Sequence, residues 1–385
     1  MDKADKNTFL TRVRYILHLC VTAFMLFTGL QNTCGQTIRH ILPSFKVINR
    51  PSADTIRICI MGDMMMHEAQ IAKAAQKDGS YDFSTYFQFI EDEIRNADIA
   101  IANMEYTLAG MPYSGYPCFS APENFATYLA DCGFDIFLAA NNHIFDKGHH
   151  GADKTLQFYR KLQESHNIRF TGLAGDEKER AGNHPLIINC NGAEIAILNF
   201  TYGTNLGSGA KWPKVNYMSD KDNIEEALGS SKSSDLTIAL PHWGEEYSLK
   251  HSDSQRNTAE WLCKGGADII IGSHPHVVQD QDTIEGCPVI YSLGNAVSNM
   301  SAANTQIELM VILNIVRHHN GKVKLLDPEF QYLWCSRPGG YCSSYTVIPV
   351  KEFIGTRDEW QGTWEYDKMI STYERVRQIT GIKEK

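Results

Sequence analysis

The sequence contains no Cys-x-x-Cys pair, although 10 of its 385 residues are cysteine. This absence excludes the zinc-ribbon and thioredoxin-like folds, which depend on such pairs. Cys335 and Cys342 flank a Pro-Gly-Gly turn, where they would either form a hairpin disulfide or pack as small apolar thiols.

An excess of positive charge is also absent. Lys and Arg number 36 against 45 Asp and Glu, which gives a net charge of −9 with neutral histidines. Because nucleic-acid binding needs a basic surface, no nucleic-acid partner is expected. Repeats and low-complexity tracts are missing too, and 43% apolar and 21% charged residues are typical of a globular protein.

No apolar run reaches the ~20 residues that a membrane-spanning helix needs. The longest, residues 15–30, follows a basic segment and precedes small or polar residues. This pattern predicts that 1–35 is a signal peptide cleaved after Gly35, a lipoprotein signal at Cys34, or an uncleaved membrane anchor. Each alternative places the remaining chain outside the cytoplasm, in the periplasm or cell envelope. The remaining alternative is a buried N-terminal helix.

From residue 54 onward, short apolar runs alternate with amphipathic stretches, as in an α/β fold. The later runs follow one another with fewer helices and a hairpin turn at Asn320-Gly321, which predicts a mixed sheet. We expect one domain over 54–330. Residues 331–385 are expected to be an extension that begins with a loop, ends in a helix near 364–380 and packs on the same domain.

Polar residues directly follow the predicted strands. In an open α/β sheet the carboxyl ends of the strands line the ligand crevice, so these residues should converge although they are far apart in sequence. Asp63 and His67 follow the first run, and Glu105 follows the second. Later runs are followed by Asn142, His143, Asp146, His242, Glu246, His274, His276 and Asn295. Six such strand ends on one sheet indicate a common site.

Carboxylate, amide and imidazole groups together suit Mn²⁺, Fe or Zn²⁺ and not the softer metals that thiolates bind. The set is too large for one tetrahedral zinc ion. It suits two divalent ions that share a bridging carboxylate, an arrangement that enzymes use for hydrolysis.

Six motifs in this order resemble the calcineurin-like metallophosphoesterase superfamily: GDMMMH, NMEYTL, NNHIFDKG, HWGEEY, GSHPHVVQ and SLGNAV, between Gly62 and Val297. Within it, they are similar to the CapA family of bacterial capsule-synthesis proteins, which is linked to poly-γ-glutamate. The resemblance implies a four-layer αββα sandwich with two mixed central sheets.

The resemblance also implies roles for single residues. It assigns Asp63 and His276 to a first metal, Asn142, His242 and His274 to a second, and Glu105 to a bridge between them. His143 would protonate the leaving group, and Asp146 would orient the His143 ring.

The sequence departs from the broad superfamily at Met65, where the superfamily pattern Asp-x-His has a metal ligand. The first metal would then be weakly held or absent, which leaves one or two divalent ions. His67 would either replace the missing ligand or line the substrate pocket. Gln279, Glu246 and Asn295 are within reach of the same sheet edge. They would orient histidine ligands or contact substrate. Trp243 and Tyr247 are expected to pack beneath the site.

Two functions fit these residues. One is a metal-dependent hydrolase of capsule synthesis, in which a metal-bound hydroxide attacks a phosphoester or a γ-glutamyl amide. The other is a non-catalytic component that binds or tethers the anionic capsular polymer at the cell surface, alongside other capsule-synthesis membrane components. Retention of His143 with the complete ligand set favours the enzyme.

Overall fold

The computed structural model describes residues 55–207, 209 and 211–384. The predicted export or anchor segment, 1–35, lies outside these residues. In the part of the chain that is described, no helix is both long and apolar enough to span a membrane. The described residues of 55–163 and 168–384 belong to one compact unit.

The described residues form two large sheets and a small two-stranded one. The strands are β1 (Thr55–Met64), β2 (Ile99–Met104), β3 (Ile136–Leu138), β4 (Arg169–Thr171), β5 (Leu173–Ala174), β6 (Leu186–Cys190), β7 (Ala193–Thr201), β8 (Lys214–Val215), β9 (Leu236–His242), β10 (Ile269–Ile271), β11 (Gln281–Ile284), β12 (Cys287–Ile290), β13 (Ile307–Arg317), β14 (Val323–Leu325), β15 (Glu329–Ser336) and β16 (Thr346–Pro349). The α-helices are α1 (Glu68–Ala74), α2 (Glu91–Arg95), α3 (Glu123–Cys132), α4 (Gly148–His166), α5 (Glu177–Asn183), α6 (Lys221–Ser231), α7 (Asp253–Gly265) and α8 (Thr363–Thr380). Two short 3₁₀ helices, Val350–Phe353 and Arg357–Glu359, precede α8.

Both large sheets are mixed, as the sequence predicts. The first has the order β16-β15-β13-β1-β2-β3-β4, with β14 added to β13. Its strands β1 to β4 are parallel, and β13, β15 and β16 are antiparallel to their neighbours. The second has the order β11-β12-β10-β9-β7-β6, with a parallel centre and an antiparallel strand at each edge. Strands β5 and β8 form the small sheet.

The layers follow from the alternation of side chains along the strands. In β1, Ile58 and Ile60 point into a core shared with strands of the second sheet. Cys59 and Met61 point the other way, into a core shared with helices α1 to α4. On its outer face the second sheet packs against α6 and α7. The fold is therefore an αββα sandwich, as predicted.

The two sheets meet at the loops that follow β1 and β12. Asp63 N donates to Gly294 O at 3.0 Å, and Met64 forms a parallel bridge with Val297. A Cβ at Gly62 would lie 2.1 Å from Gly294 O, so only glycine permits this approach. The carboxyl ends of the central strands in both sheets consequently lie side by side.

The C-terminal part differs from the sequence expectation. Strand β15 crosses the expected boundary at 330 and pairs with β13, and β16 adds a further strand to the same sheet. Residues after 330 therefore begin with sheet strands and not with a loop. The helix predicted near 364–380 is present as α8. Cys335 and Cys342 are thiols that donate to the carbonyls of Ser298 and Ser344, so the disulfide alternative is not formed.

Candidate metal centre

Side chains from the ends of strands in both sheets form one buried cluster. Asp63 is the last residue but one of β1, Glu105 follows β2 directly, and β9 ends at His242. His274 and His276 lie in the loop after β10, and the residue pair Asp63 and His274 is 211 positions apart in sequence. All five side chains are buried.

Three groups of carboxylate and imidazole side chains have ligand atoms within 4.8 Å of one another. The groups are Asp63–Glu105–His276, Glu105–His242–His274 and Glu246–His274–His276. Glu105, His274 and His276 each belong to two of the groups, and of these three residues Glu105 is the carboxylate, the ligand type that bridges two ions. Asn142 adjoins the second group, since its Oδ1 lies 2.8 Å from His242 Nε2.

Glu105 has the surroundings of a cation ligand. Its side chain is fully buried, and in the described part of the chain neither carboxylate oxygen has a hydrogen-bond partner. His242 Nε2 lies 3.6 Å from Oε1, and His276 Nδ1 lies 3.7 Å from Oε2. Burial raises the pKa of Glu105 well above its usual value, and the charges of Asp63 and Glu246 raise it further. Because an unpaired buried carboxylate is costly, a bound divalent cation would supply the missing compensation.

His242 and His274 are held in the form that binds metal. Burial, assisted by the charges of His276 and His143, lowers the pKa of His274 to about 3. Burial also lowers the pKa of His242 well below its usual value. Neutral imidazole has the lone pair that a metal ligand must offer. Together with the unpartnered oxygens of Glu105, these rings fit a divalent metal.

Asn103 holds two of the candidate ligands in place. Its Nδ2 donates to Asp63 Oδ1 at 2.7 Å and lies 3.2 Å from His242 Nδ1. Ser273 Oγ lies 3.1 Å from the same ring nitrogen. Sequence analysis assigned no role to either residue, although Asn103 is within the second motif and Ser273 within the fifth.

His143 and Asp146 form a pair beside the cluster. His143 Nδ1 donates to Asp146 Oδ2 at 2.7 Å, and Phe119 N donates to the same oxygen at 2.7 Å. This arrangement turns His143 Nε2 toward Glu105 Oε1, 4.0 Å away. The Phe119 ring packs edge-on against the imidazole, with 4.7 Å between centroids. The ring of His143 is thus fixed with Nε2 directed at the cluster.

His67 lies outside the three ligand groups. Its Nδ1 accepts a hydrogen bond from Asn299 N at 3.3 Å, and its ring contacts Phe119. Burial lowers the pKa of His67 to about 4, a shift opposed by Gln70 and assisted by His276. Of the two roles that the sequence left open, this position favours a pocket-lining one.

Asn295 and Gln279 have different surroundings. Asn295 Nδ2 donates to Ser298 Oγ and Thr305 O, which leaves Oδ1 to accept from His276 Nδ1 at 2.9 Å. Gln279, in contrast, donates to the carbonyls of Ser248 and Lys250 and accepts from Gln255. The expectation that Gln279 orients a histidine is therefore wrong: it holds the loop after β9.

The aromatic residues near the cluster divide into a buried one and two exposed ones. Trp243 is buried and donates through Nε1 to Tyr291 O, as a packing residue does. Tyr247 is 44% exposed, so it does not pack beneath the site as expected. Its ring lies 6.2 Å from that of His276. Tyr202, which sequence analysis did not identify, lies 4.6 Å from the ring of His274.

A mixed two-sheet αββα sandwich with carboxylates and imidazoles at the shared carboxyl edge is a metallophosphoesterase-like fold with a candidate metal centre. The family model described as "Bacterial capsule synthesis protein PGA_cap" matches residues 57–300. The chain belongs to this family of capsule synthesis proteins.

Two curated relatives agree with this family. The chain is 28% identical to the PGA biosynthesis protein CapA of Bacillus subtilis (strain 168) over 282 residues, which are 71% of each chain. It is 27% identical to the capsule biosynthesis protein CapA of Bacillus anthracis over 272 residues, which are 67% of this chain and 63% of that one.

Solved structures similar to this chain include two nucleotidases. The NAD nucleotidase of Haemophilus influenzae gives a TM-score of 0.43 at 12% identity, over 84% of this chain and 68% of that one. The 5′-nucleotidase precursor of Thermus thermophilus gives a TM-score of 0.41 at 11% identity, over 84% of this chain and 58% of that one.

Proposed function

We propose that this protein is a metal-dependent hydrolase of capsule synthesis that cleaves a phosphoester or a γ-glutamyl amide. The observation that carries the proposal is the position of Glu105. Its two unpartnered, buried oxygens lie between His242 and His276, and His143 faces the same carboxylate.

The candidate ligands divide between two ions. Asp63, Glu105 and His276 would hold one, and Glu105, Asn142, His242 and His274 the other. A divalent ion there, Mn, Fe or Zn, would polarise the phosphoryl or carbonyl oxygen as a Lewis acid and lower the pKa of the attacking water. Asn103 keeps Asp63 and His242 aligned for this purpose.

His143 would deliver a proton to the leaving group. Asp146 accepts a hydrogen bond from His143 Nδ1. This bond fixes the tautomer of the His143 ring and stabilises the ring when Nε2 is also protonated. Nε2 then holds the proton on the side of Glu105, where the scissile bond would lie. Once the leaving oxygen or nitrogen has taken this proton, Asp146 keeps the neutral ring in the same orientation.

The family favours a substrate of the cell envelope. Its model and the Bacillus anthracis relative are named for capsule synthesis, and the Bacillus subtilis relative for PGA biosynthesis. We therefore propose an anionic capsular polymer or a phosphoester precursor as substrate, with other capsule-synthesis membrane components as partners. The work would take place outside the cytoplasm, with 1–35 as export signal or anchor.

A leaving-group comparison tests the role of His143. The purified, metal-loaded protein is assayed on nitrophenyl phosphoesters, alkyl phosphomonoesters and diesters, and γ-linked glutamate oligomers. His143→Ala should keep its metal and lose about 10²–10⁴-fold in turnover on poor leaving groups. On nitrophenyl esters the loss should be smaller, because that group needs little protonation. His150→Ala, an exposed histidine in α4, is the control.

Other outcomes would change the proposal. An equal loss on good and poor leaving groups, with metal intact, would mean that His143 positions substrate and transfers no proton. If the fully metallated protein hydrolyses none of these substrates but binds poly-γ-glutamate in calorimetry, the polymer-tethering function replaces the hydrolase.

A further inference from the structure

The first candidate metal group is short of one ligand. The superfamily pattern has a histidine where this chain has Met65, and Met65 is buried in the apolar core beneath helices α1 to α4. His67 does not replace it, since it lies outside the ligand groups and its Nδ1 is bonded to Asn299 N. Asp63, Glu105 and His276 are left as the first group.

Glu246 reaches one member of this group, His276, from a different loop. Its carboxylate lies within 4.8 Å of ligand atoms of both His274 and His276. The loop that carries it is bonded to the histidine loop, because Trp243 N donates to Ser273 O at 3.0 Å and Tyr247 N donates to Pro275 O at 2.8 Å. The placement of Glu246 is thus set by backbone hydrogen bonds on both sides of it.

Unpartnered buried groups face this part of the cluster. His274 is 3% exposed, and its Nδ1 has no hydrogen-bond partner among the described residues. Both oxygens of Glu105 likewise lack a partner there. Three carboxylates, those of Asp63, Glu105 and Glu246, therefore converge on two imidazoles. Without a cation between them this concentration of negative charge is unfavourable.

A purely substrate-binding role for Glu246 conflicts with its charge. Phosphoesters and poly-γ-glutamate are anionic, so a carboxylate at the entrance would repel them unless a cation neutralised it. Asn295 positions the His276 imidazole from the other side, since its Oδ1 lies 2.9 Å from His276 Nδ1. The same Nδ1 lies 3.4 Å from Asp63 Oδ2 and 3.7 Å from Glu105 Oε2, so it is the His276 nitrogen that faces the first group.

We propose that Glu246 is a metal ligand that completes the first site in place of the histidine that Met65 replaces. This inference rests on the proposed metal centre. It also makes the two sites unequal: the first has three carboxylates and one imidazole, and the second has one carboxylate, one amide and two imidazoles. A harder, oxygen-rich site favours Mn²⁺, whereas the second suits Fe or Zn²⁺.

The test is Mn²⁺ binding to the metal-free protein, followed by electron paramagnetic resonance of free and bound Mn²⁺. The wild type should bind two ions and show a spin-coupled pair. Glu246→Gln should lower the affinity for one ion by more than about 100-fold, beyond the 10–100-fold that loss of a merely orienting residue causes. Its spectrum should show only isolated Mn²⁺. Glu246→Asp should recover part of the affinity. The matched control is Glu245→Gln: Glu245 is exposed, as Glu246 is, but belongs to none of the three groups among the described residues.

The outcomes separate this inference from the proposed function. If the wild type binds Mn²⁺ and Glu246→Gln binds it with unchanged stoichiometry and affinity, Glu246 is not a ligand, and the hydrolase proposal is unaffected. An equal effect of Glu245→Gln would show that only the general charge of the loop matters, which also rejects the ligand role. A wild type that binds no divalent ion would reject both proposals.

Discussion

At the scale of single residues, Glu105 is the side chain on which the proposed two-ion centre depends. It is shared by the groups Asp63–Glu105–His276 and Glu105–His242–His274, and within the described part of the chain no donor reaches either of its oxygens. His274, in contrast, belongs to only one of those two groups. The two residues should therefore differ in how many ions their loss affects.

Glu105→Ala should deplete both ions, whereas His274→Ala should deplete mainly the second. The reason is that a bridge contributes to two coordination shells and a terminal ligand to one. Elemental analysis after dialysis against a weak chelator measures the metal content of both variants. Equal depletion by the two substitutions would contradict the bridging role.

The rule that polar residues follow strands identifies Asp63, Glu105 and His242 from the sequence, because strand direction fixes the edge on which they lie. It gives no information on hydrogen bonds between loops. Asn103 was therefore missed as a positioning residue, and Gln279 was assigned to the histidines although it bonds to Ser248 and Lys250.

At the scale of structural elements, the loop after β10 depends on one close contact. A Cβ at Gly272 would lie 2.2 Å from both Trp243 Nε1 and Tyr291 O, which are hydrogen-bonded to each other. Gly272 N also donates to Ile290 O in the neighbouring strand. A side chain at this position would displace the segment that carries His274 and His276.

Gly272→Ala should destabilise the protein by about 2–3 kcal/mol, as overpacking of a core does, and should weaken metal binding. Gly229→Ala provides the control, because Gly229 lies in α6 with no atom near its Cβ position. That substitution should stabilise the protein by about 0.5–1 kcal/mol. Urea unfolding and metal titration check both, and unchanged metal affinity in Gly272→Ala would show that the loop position is set elsewhere.

Sequence patterns predicted the central strands and α8 because those elements are long or continuously apolar. Strands β15 and β16 were missed, since a Gly- and Ser-rich loop separates them and masks the regularity of the region. Their pairing with β13 depends on partners that are close only in the folded chain.

At the scale of the whole molecule, two buried groups outside the ligand set make stability depend on pH in opposite directions. Burial lowers the pKa of His184 to about 4. The contribution of His184 to the free energy of unfolding is therefore present above pH ~6.5 and is lost as pH falls toward 4. Burial raises the pKa of Glu308 to about 8, although a hydrogen bond from Gly62 opposes the shift. Its contribution is complete below pH ~4.3 and is lost as pH rises toward 8.

Differences between variants isolate these effects in metal-free protein. Relative to Glu308→Gln, the free energy of unfolding of the wild type should fall by about 1.4 kcal/mol per pH unit as pH rises from 4.5 to 8. Relative to His184→Leu, it should fall by a similar amount per unit as pH falls from 6.5 to 4. Urea unfolding at half-unit pH steps measures both slopes, and parallel curves for wild type and variant would mean that the group titrates normally in the folded state.

The sheet-to-sheet contact around Gly62 and Gly294 has a consequence for biosynthesis. Asp63 and Glu105 come from the first sheet and His242 and His274 from the second, so half of the chain cannot capture an ion firmly. An ion at the proposed centre would then be captured late in maturation. Since divalent metals compete for such donors largely by availability, its identity would be set by the metal pool of the compartment in which the chain finishes folding.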